Sequence, residues 1–219
     1  MKFIKLSLVA AVLATGMLAA ETSEIGVSAN MAITSNYVWR GMTQSKNSPA
    51  IQGGIDVDFK GLYAGVWGSN IEFGDAKASL EADAYLGYSN EVSGFSYDIG
   101  YTQFIYPNQS SELNFGEAHA KLGYDFEVVA LGAAYYYGIE TNDLEPENAW
   151  EASVSVPLPM EFSVDVTYGD YDSSGAYYLL GVNKSFGKFD FTLAYTANDA
   201  DGDSDAEQDN FVATMGTSF

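Results

Sequence analysis

The sequence predicts an all-β fold, a transmembrane antiparallel up-and-down β-barrel of about twelve strands. Three observations predict it. Apolar and polar residues alternate along most of the chain, the connections between these segments alternate between short and long, and the last segment ends on Phe219. Side chains of a strand point alternately to its two faces. An outer-membrane barrel of this type has an even strand number, short periplasmic turns and longer outer loops, so we expect both chain ends in the periplasm.

Residues 1–20 have the features of a secretory signal peptide. A positive segment with Lys2 and Lys5 precedes an apolar run at 6–18, and Ala19 and Ala20 offer small side chains for cleavage. That run is too short to cross a bilayer. No later run of about 18 apolar residues follows, and the absence of cysteine excludes a lipoprotein anchor. The sequence therefore divides into a signal peptide at 1–20 and an outer-membrane barrel at 21–219.

The barrel region contains about twelve segments with a period of two. In the first, residues 24–35, Ile25, Val27 and Ile33 share one face, while Ser28 and Asn30 lie on the other. The later segments, in chain order, are 50–59, 62–69, 79–88, 95–102, 117–124, 129–135, 150–156, 162–168, 178–182, 189–196 and 211–219. In most of them one face is rich in Ile, Val, Leu, Phe and Tyr, several of which favour strands. The other face carries carboxylates, amides or hydroxyls.

The connections between the segments alternate in length, as an up-and-down barrel requires. The short ones are 60–61, 90–94, 125–127, 157–161 and 187–188, and the long ones are 41–49, 70–78, 107–116, 138–148, 169–176 and 198–210. A soluble β-sandwich gives no reason for so regular an alternation. We therefore expect the short connections on the periplasmic side and the long ones outside.

Aromatic residues at the strand ends indicate which face points outward. One group lies near the short turns (Phe59, Tyr88, Tyr124, Phe162 and Phe189) and another near the long loops (Tyr101, Tyr168 and Tyr195). Aromatic girdles of this kind mark the two interfaces of a membrane. The apolar face is therefore predicted to meet the lipid and lipopolysaccharide of the bacterial outer membrane. Phe219 is expected to be the signal that the barrel-assembly machinery recognises.

The polar face is predicted to line the lumen and to set its charge preference. Its ionisable members are Arg40, Asp56, Asp58, Glu81, Asp83, Asp98, Glu117, His119, Lys121, Glu151, Asp165 and Asp190. Rings of carboxylates favour cations over anions at a pore. The alternative is that these side chains simply fill a narrow polar lumen. The net charge of −21 excludes a nucleic-acid partner, which needs a basic surface.

Arg40 and His119 are each the single residue of their type in the chain. Arg40 either positions an anion at a constriction or anchors a folded-in loop by pairing with lumen carboxylates. His119 shares its face with Glu117 and Lys121, which raises the alternative of a lipid-modifying enzyme. However, the chain has no Gly-x-Ser-x-Gly elbow, so no catalytic residue and no cofactor is predicted.

The last long connection contains a weak candidate for a metal site. Asp199, Asp201, Asp203 and Asp205 have the spacing of the first calcium ligands of an EF-hand loop. Gly202 is not at the sixth position, however, and Asn210 replaces the final glutamate. The alternative is a solvated acidic loop, or one that divalent ions bridge to lipopolysaccharide.

Three motifs carry a resemblance to a known family. They are SNYVWRGMTQS at 35–45, followed by PAIQGGI at 49–55, then YAGVWGSNI at 63–71, and GFSYDIGY at 94–101. Together they resemble the proteobacterial porin family labelled TorF, long catalogued as conserved proteins of unknown function. The resemblance implies an outer-membrane barrel and passive transport of small solutes, and it implies no catalytic residues.

Three functional classes therefore remain open. The first is a channel for small solutes. The second is a non-conducting structural or ligand-binding barrel, which a lumen filled by Tyr63, Trp67, Tyr85, Tyr136 and Tyr177 would favour. The third, an outer-membrane enzyme, depends on His119.

Overall fold

The computed structural model describes residues 25–73, 78–107, 113–141, 146–199 and 208–219. The predicted signal peptide lies outside the described residues. Among those described, the strands are β1 (Gly26–Thr34), β2 (Val38–Trp39), β3 (Met42–Thr43), β4 (Ala50–Phe59), β5 (Leu62–Phe73), β6 (Ala78–Val92), β7 (Phe95–Ile105), β8 (Phe115–Asp125), β9 (Ala130–Ile139), β10 (Ala149–Leu158), β11 (Phe162–Tyr171), β12 (Gly175–Phe186), β13 (Phe189–Asp199) and β14 (Gln208–Ser218). Short 3-10 turns occupy Pro159–Glu161 and Asp172–Ser174.

The predicted fold is confirmed. Within the described ranges, β1 and β4–β14 form one closed barrel of twelve antiparallel strands, each paired with its neighbour in the chain, and β14 pairs with β1. The remaining two strands, β2 and β3, form a small separate hairpin. No helix in the described part of the chain is long and apolar enough to cross a membrane.

The outer surface of the barrel is apolar and the inner surface is polar. Large aliphatic side chains such as Ile55, Leu86 and Leu193 are exposed, the last to 68%. Carboxylates of neighbouring positions are buried instead, and Asp83 is only 2% exposed. Soluble barrels have the opposite arrangement, whereas membrane barrels turn an apolar band to the lipid. The structure thus agrees with the predicted orientation of the two faces.

The short turns are tight because residues with a left-handed backbone form them. Lys60 and Gly61 have φ angles of 51° and 87°, and Ser93 and Gly94 have φ angles of 53° and 83°. Two consecutive residues of positive φ fit the right-handed twist of a two-residue hairpin. At the second of these turns, strand β6 continues to Val92, so the connection is shorter than the predicted 90–94.

The C-terminal residue completes the closure of the barrel. The backbone N–H of Phe219 donates to the carbonyl of Ala29 at 2.9 Å, and the N–H of Ala29 donates to the carbonyl of Phe219 at 3.2 Å. The Phe219 side chain is 74% exposed, on the same face as Phe211 and Met215. The residue therefore contributes both to the seam and to the outward aromatic surface.

Removal of Phe219 is expected to impair assembly more than any lumen substitution, because the shortened chain loses two hydrogen bonds of the seam and its terminal ring. The measurement is the amount of folded, heat-modifiable protein in the outer-membrane fraction. Phe211→Ala, which removes an outward ring from the same strand, and Asp190→Asn, in the lumen, are the controls. Normal membrane insertion of the shortened protein would contradict the predicted role of Phe219.

Candidate functional site

Residues 35–49 connect β1 to β4, so the first long connection begins earlier than the predicted 41–49. This segment folds into the barrel, and we call it the inward hairpin. Its strands β2 and β3 are joined by Arg40 and Gly41, whose φ angles are 48° and 81°. Such a turn favours glycine at its second position. A Cβ atom on Gly41 would lie 2.7 Å from the carbonyl oxygen of Ala197 in β13. The tip of the hairpin is therefore in direct contact with the barrel wall.

Asn36 ties the base of the inward hairpin to the last strand. Its amide nitrogen donates to the side-chain oxygens of Asn47 at 2.9 Å and Asn210 at 3.1 Å. Its own side-chain oxygen accepts a bond from the Thr43 hydroxyl at 2.6 Å. The backbone N–H of Thr43 in turn donates to the Gln208 side chain at 2.9 Å. These bonds fix the hairpin against β14.

Two aromatic residues fix the hairpin against other strands. The Tyr37 hydroxyl donates to Oε1 of Glu81 at 2.8 Å, and its ring meets that of Trp67 edge-on at 5.6 Å. Trp39 packs against Tyr171 at 5.3 Å between ring centres, and it also contacts Phe104 and Phe115. The hairpin is thus packed against β5, β6, β7, β8 and β11.

Arg40 makes the strongest polar contact of the hairpin. Its Nη2 lies 2.7 Å from Oε2 of Glu117, and the two side chains are only 3% and 7% exposed. The guanidinium also lies 4.2 to 4.7 Å from the ring centres of Trp39, Tyr136 and Tyr171. Cation–π contacts add to such an ion pair when water is excluded. Of the two interpretations of Arg40, these contacts favour the anchor of a folded-in loop.

A second polar network fills the lumen on the side of β4–β8. The Tyr63 hydroxyl donates to Oδ1 of Asp98 at 2.8 Å, and Nε2 of His119 lies 2.9 Å from the same oxygen. The Tyr85 hydroxyl donates to Asp56. His119 therefore has an aspartate and a tyrosine as partners, whereas a serine hydrolase needs its nucleophile within hydrogen-bond reach of the base.

Carboxylates on β10 and β11 also have donors close to them. Oxygens of Glu151 accept bonds from the hydroxyls of Tyr136 at 3.0 Å and Tyr177 at 2.9 Å. Asp165 accepts bonds from Ser155 and Asn183. Buried polar groups are costly unless they are hydrogen-bonded. The tyrosine, serine and asparagine side chains therefore stabilise an acidic lumen that has few basic residues.

Among the buried carboxylates of the described residues, Asp83 alone has no hydrogen-bond partner for either of its buried oxygens. It lies opposite Trp67 on the inner face of the β5–β6 pair. The indole N–H of Trp67 has no partner within the described ranges either.

The predicted lumen residues thus fall into several groups. Arg40 with Glu117 and His119 with Asp98 come together as pairs. Lys121 lies 5.6 Å from the ring centre of Tyr136. The side chains of Asp58 and Asp190 are half-buried nearer the short turns. Whether these residues set a selectivity stays a prediction.

The candidate metal loop lies mostly outside the described residues. Of its four aspartates, Asp199 alone is described, and its side chain is exposed at the end of β13. In the described part of the chain, no three His, Asp or Glu side chains are close enough together to hold a metal ion.

The five aromatic residues Tyr63, Trp67, Tyr85, Tyr136 and Tyr177 are all buried or half-buried on the inner face. Together with the inward hairpin they fill much of the lumen. A cavity of about 170 Å³ lies along β1, β12, β13 and β14, below the hairpin tip. Its walls are mostly small hydroxyl, amide and aliphatic side chains, including Thr34, Thr192, Thr196, Thr214, Ala194 and Val212.

Sequence reasoning offered lumen carboxylates as partners of Arg40 without identifying Glu117 among them, and it missed the neutral wall of the cavity. The sequence did contain a signal for the hairpin, because Val38-Trp39 and Met42-Thr43 flank an Arg-Gly pair within a long connection. Strand-favouring residues such as Val, Trp and Thr on the two sides of a glycine-containing dipeptide are a hairpin pattern. The threonines of the wall had no such signal, since they look like ordinary polar positions of a strand.

Loss of the Arg40 side chain is expected to loosen the hairpin, because Glu117 would stay buried without a partner. Breaking such a pair costs about 3–5 kcal/mol, and each 1.4 kcal/mol is roughly a factor of ten. Amide hydrogen exchange at Thr43 and Gln44 should therefore be roughly a hundredfold to a few thousandfold faster in Arg40→Ala.

Lys46→Ala is the matched control, since the Lys46–Glu72 contact of 3.7 Å joins side chains that are 52% and 60% exposed. Exposed pairs contribute at most about 1 kcal/mol, so exchange should change little. Equal exchange rates in Arg40→Ala and in the unmodified protein would contradict the anchoring role.

Comparisons with known proteins identify the fold and the family. No curated protein matches the sequence. Among solved structures, the chain is similar to a KdgM porin, with 10% identity, a TM-score of 0.63, and coverage of 88% of this chain and 99% of that chain. It is also similar to a KdgM porin in complex with disordered oligogalacturonate (8% identity, TM-score 0.58, coverage 88% and 97%) and to a NanC porin (10%, 0.53, 88% and 98%).

These similarities show a common fold, the closed barrel of outer-membrane porins, and agree with the predicted location in the bacterial outer membrane. The family model described as "Bacterial protein of unknown function (Gcw_chp)" matches residues 18–219. That range includes the inward hairpin and every strand of the barrel. The chain therefore belongs to this bacterial family.

Proposed function

We propose that the protein is an outer-membrane channel for the passive diffusion of small solutes, as the resemblance to TorF-type porins implies. The observation that carries the proposal is the cavity within the barrel. It extends from Arg40 and Gly41 at the hairpin tip to Gly216 and Ser218 near the short turns. The short turns and both chain ends face the periplasm in this proposal.

The structural similarity to porins supports a channel, but the charge of this lumen favours a different solute from the one bound by one of those porins. One of them is described in complex with oligogalacturonate, a chain of uronic acids and therefore a polyanion. The lumen of this barrel carries more carboxylates than cations, and its arginine already contacts Glu117. Carboxylates that line a narrow pore repel anions. The proposed channel therefore disfavours anionic solutes and prefers small cations.

The measurement that tests this proposal is the conductance of the purified protein in planar bilayers, across a potassium chloride gradient. We expect small discrete current steps and a reversal potential of the sign that cation selectivity gives. Asp58→Asn and Asp190→Asn, two half-buried carboxylates near the short turns, should shift the reversal potential towards zero. Asp172→Asn, beyond the strand ends, is the control. Absence of discrete steps across salts would contradict a channel.

A non-conducting barrel that binds a partner or surface ligand is the second candidate. The inward tyrosines and the hairpin favour it, because they occupy most of the lumen. The two candidates differ in the response to Arg40→Ala. A channel that the hairpin narrows should conduct more when the hairpin is loosened. A structural barrel should stay silent in both forms.

The enzyme alternative has less support. His119 contacts Asp98 and Tyr63 inside the lumen, whereas enzymes that act on membrane lipids need their catalytic groups near the lipid-exposed rim. The proposal therefore assigns no catalytic residue. Loss of a lipid-modifying activity in His119→Ala would overturn that assignment.

A further inference from the structure

The cavity below the inward hairpin differs in character from the rest of the lumen. The wall of β4–β8 carries the network of carboxylates, tyrosines and His119. The wall of β1 and β12–β14 carries threonine hydroxyls and small aliphatic side chains. We infer that this neutral wall is a selection site for small uncharged polyhydroxy solutes. The inference rests on the proposed channel function and names the class of organic solute that passes.

The charges that line this cavity lie at its two ends, near the hairpin tip and near the short turns. Among the described residues that line it, Arg40 and Asp190 are the charged ones. Arg40 contacts Glu117, and Asp190 accepts a hydrogen bond from the Ser185 hydroxyl near a short turn. An organic ion in the middle of the cavity would exchange its hydration for hydroxyl and aliphatic groups, which is unfavourable without a counter-charge. An uncharged solute avoids that cost.

The hydroxyls of the wall are arranged to accept hydrogen bonds from a solute. Thr192 donates its proton to Asn183 at 2.6 Å, and Thr214 donates its proton to Thr34 at 2.9 Å. Thr34 donates in turn to the carbonyl of Asn36 at 2.9 Å. A hydroxyl whose proton is engaged in this way offers a ligand its lone pairs. A polyol supplies the matching O–H donors.

Aliphatic side chains lie between these hydroxyls. Ala194, Val212 and Leu179 are buried and line the same cavity. They present C–H surface to the carbon skeleton of a solute, while the threonines on either side face its hydroxyl groups. The cavity therefore offers both kinds of contact that an uncharged polyhydroxy solute makes, hydrogen bonds to its hydroxyls and apolar contact to its carbons.

The cavity favours solutes of a few carbon atoms. Its volume is about 170 Å³, which is room for several water molecules. A short linear polyol such as erythritol therefore needs less of this space than the six-carbon polyol mannitol. The small side chains of Ala32 and Ala194 and the absent side chain of Gly216 make this room.

The test is osmotic swelling of liposomes that contain the purified, folded protein, with erythritol, mannitol and choline chloride as separate probes. Empty liposomes give the background. We expect erythritol to enter much faster than mannitol, and faster than choline. If the protein conducts potassium chloride but erythritol enters no faster than into empty liposomes, the inference is overturned while the channel function stands. If neither ions nor any probe pass, the proposed function itself fails.

Two sets of variants locate the selection site. Ala194→Leu adds three carbons to a side chain that lines the cavity and should reduce erythritol entry roughly tenfold, because the larger side chain occupies space that the solute needs. Ala213→Leu places the same change on the lipid-facing side of β14 and should leave entry unchanged. Equal entry in both variants would overturn the location.

The second set tests the hydroxyls without changing volume. Thr192→Val and Thr214→Val should each lower erythritol entry by about fivefold, the effect of one lost neutral hydrogen bond, with potassium chloride conductance retained. Thr167→Val removes a buried hydroxyl of β11 that lies outside the cavity, and it is the control. Folding of every variant is verified by heat-modifiable mobility. Erythritol entry that is unaffected in both folded cavity variants would overturn the role of the hydroxyls.

Discussion

Lipid offers the protein backbone no hydrogen-bond partners, and the whole structure depends on this constraint. Each N–H and C=O group within the membrane has to pair inside the sheet, so the sheet has to close on itself. The paired backbone groups of Ala29 and Phe219 complete that closure at the last possible residue of the chain. Once the sheet is closed, its outer face has to be apolar, and polar side chains within the membrane are confined to the lumen.

Confinement of the carboxylates explains why the lumen is narrow. A chain with 30 acidic and 9 basic residues has few cations to pair with them, so hydroxyl donors take that role. Tyr37 donates to Glu81, Tyr63 to Asp98, and both Tyr136 and Tyr177 to Glu151. Each of these donors brings a ring into the barrel along with its hydroxyl. The stabilisation of buried carboxylates and the filling of the lumen are therefore one and the same effect.

Local patterns predicted the barrel, because the formation of a strand, and the face to which each of its side chains points, depend on residues that are neighbours in the sequence. Segments such as 50–59 appear in the structure with the predicted bounds, and the turn at Lys60 and Gly61 has the expected two residues. The site was less accessible to prediction. Arg40 meets Glu117 across 77 positions of sequence, and period two places both on an inner face without pairing them. The neutral wall depends on which strands the hairpin leaves uncovered, and that is a property of the folded barrel.

In the proposed channel, the two walls of the lumen have different roles: the acidic wall acts on the charge of a solute, and the neutral wall forms hydrogen bonds with it. Conduction requires contacts that favour entry but remain weak enough for release. In the proposed channel, carboxylates that already have tyrosine, arginine or histidine partners act on a solute mainly through their electrostatic field, which repels anions. The threonines of β13 and β14 offer single neutral hydrogen bonds, which exchange readily with water. Arg40 holds the hairpin towards Glu117. In the proposed channel, this placement narrows the lumen and leaves the threonine wall open to the solute, so that one residue affects both the width of the channel and the wall that the solute meets.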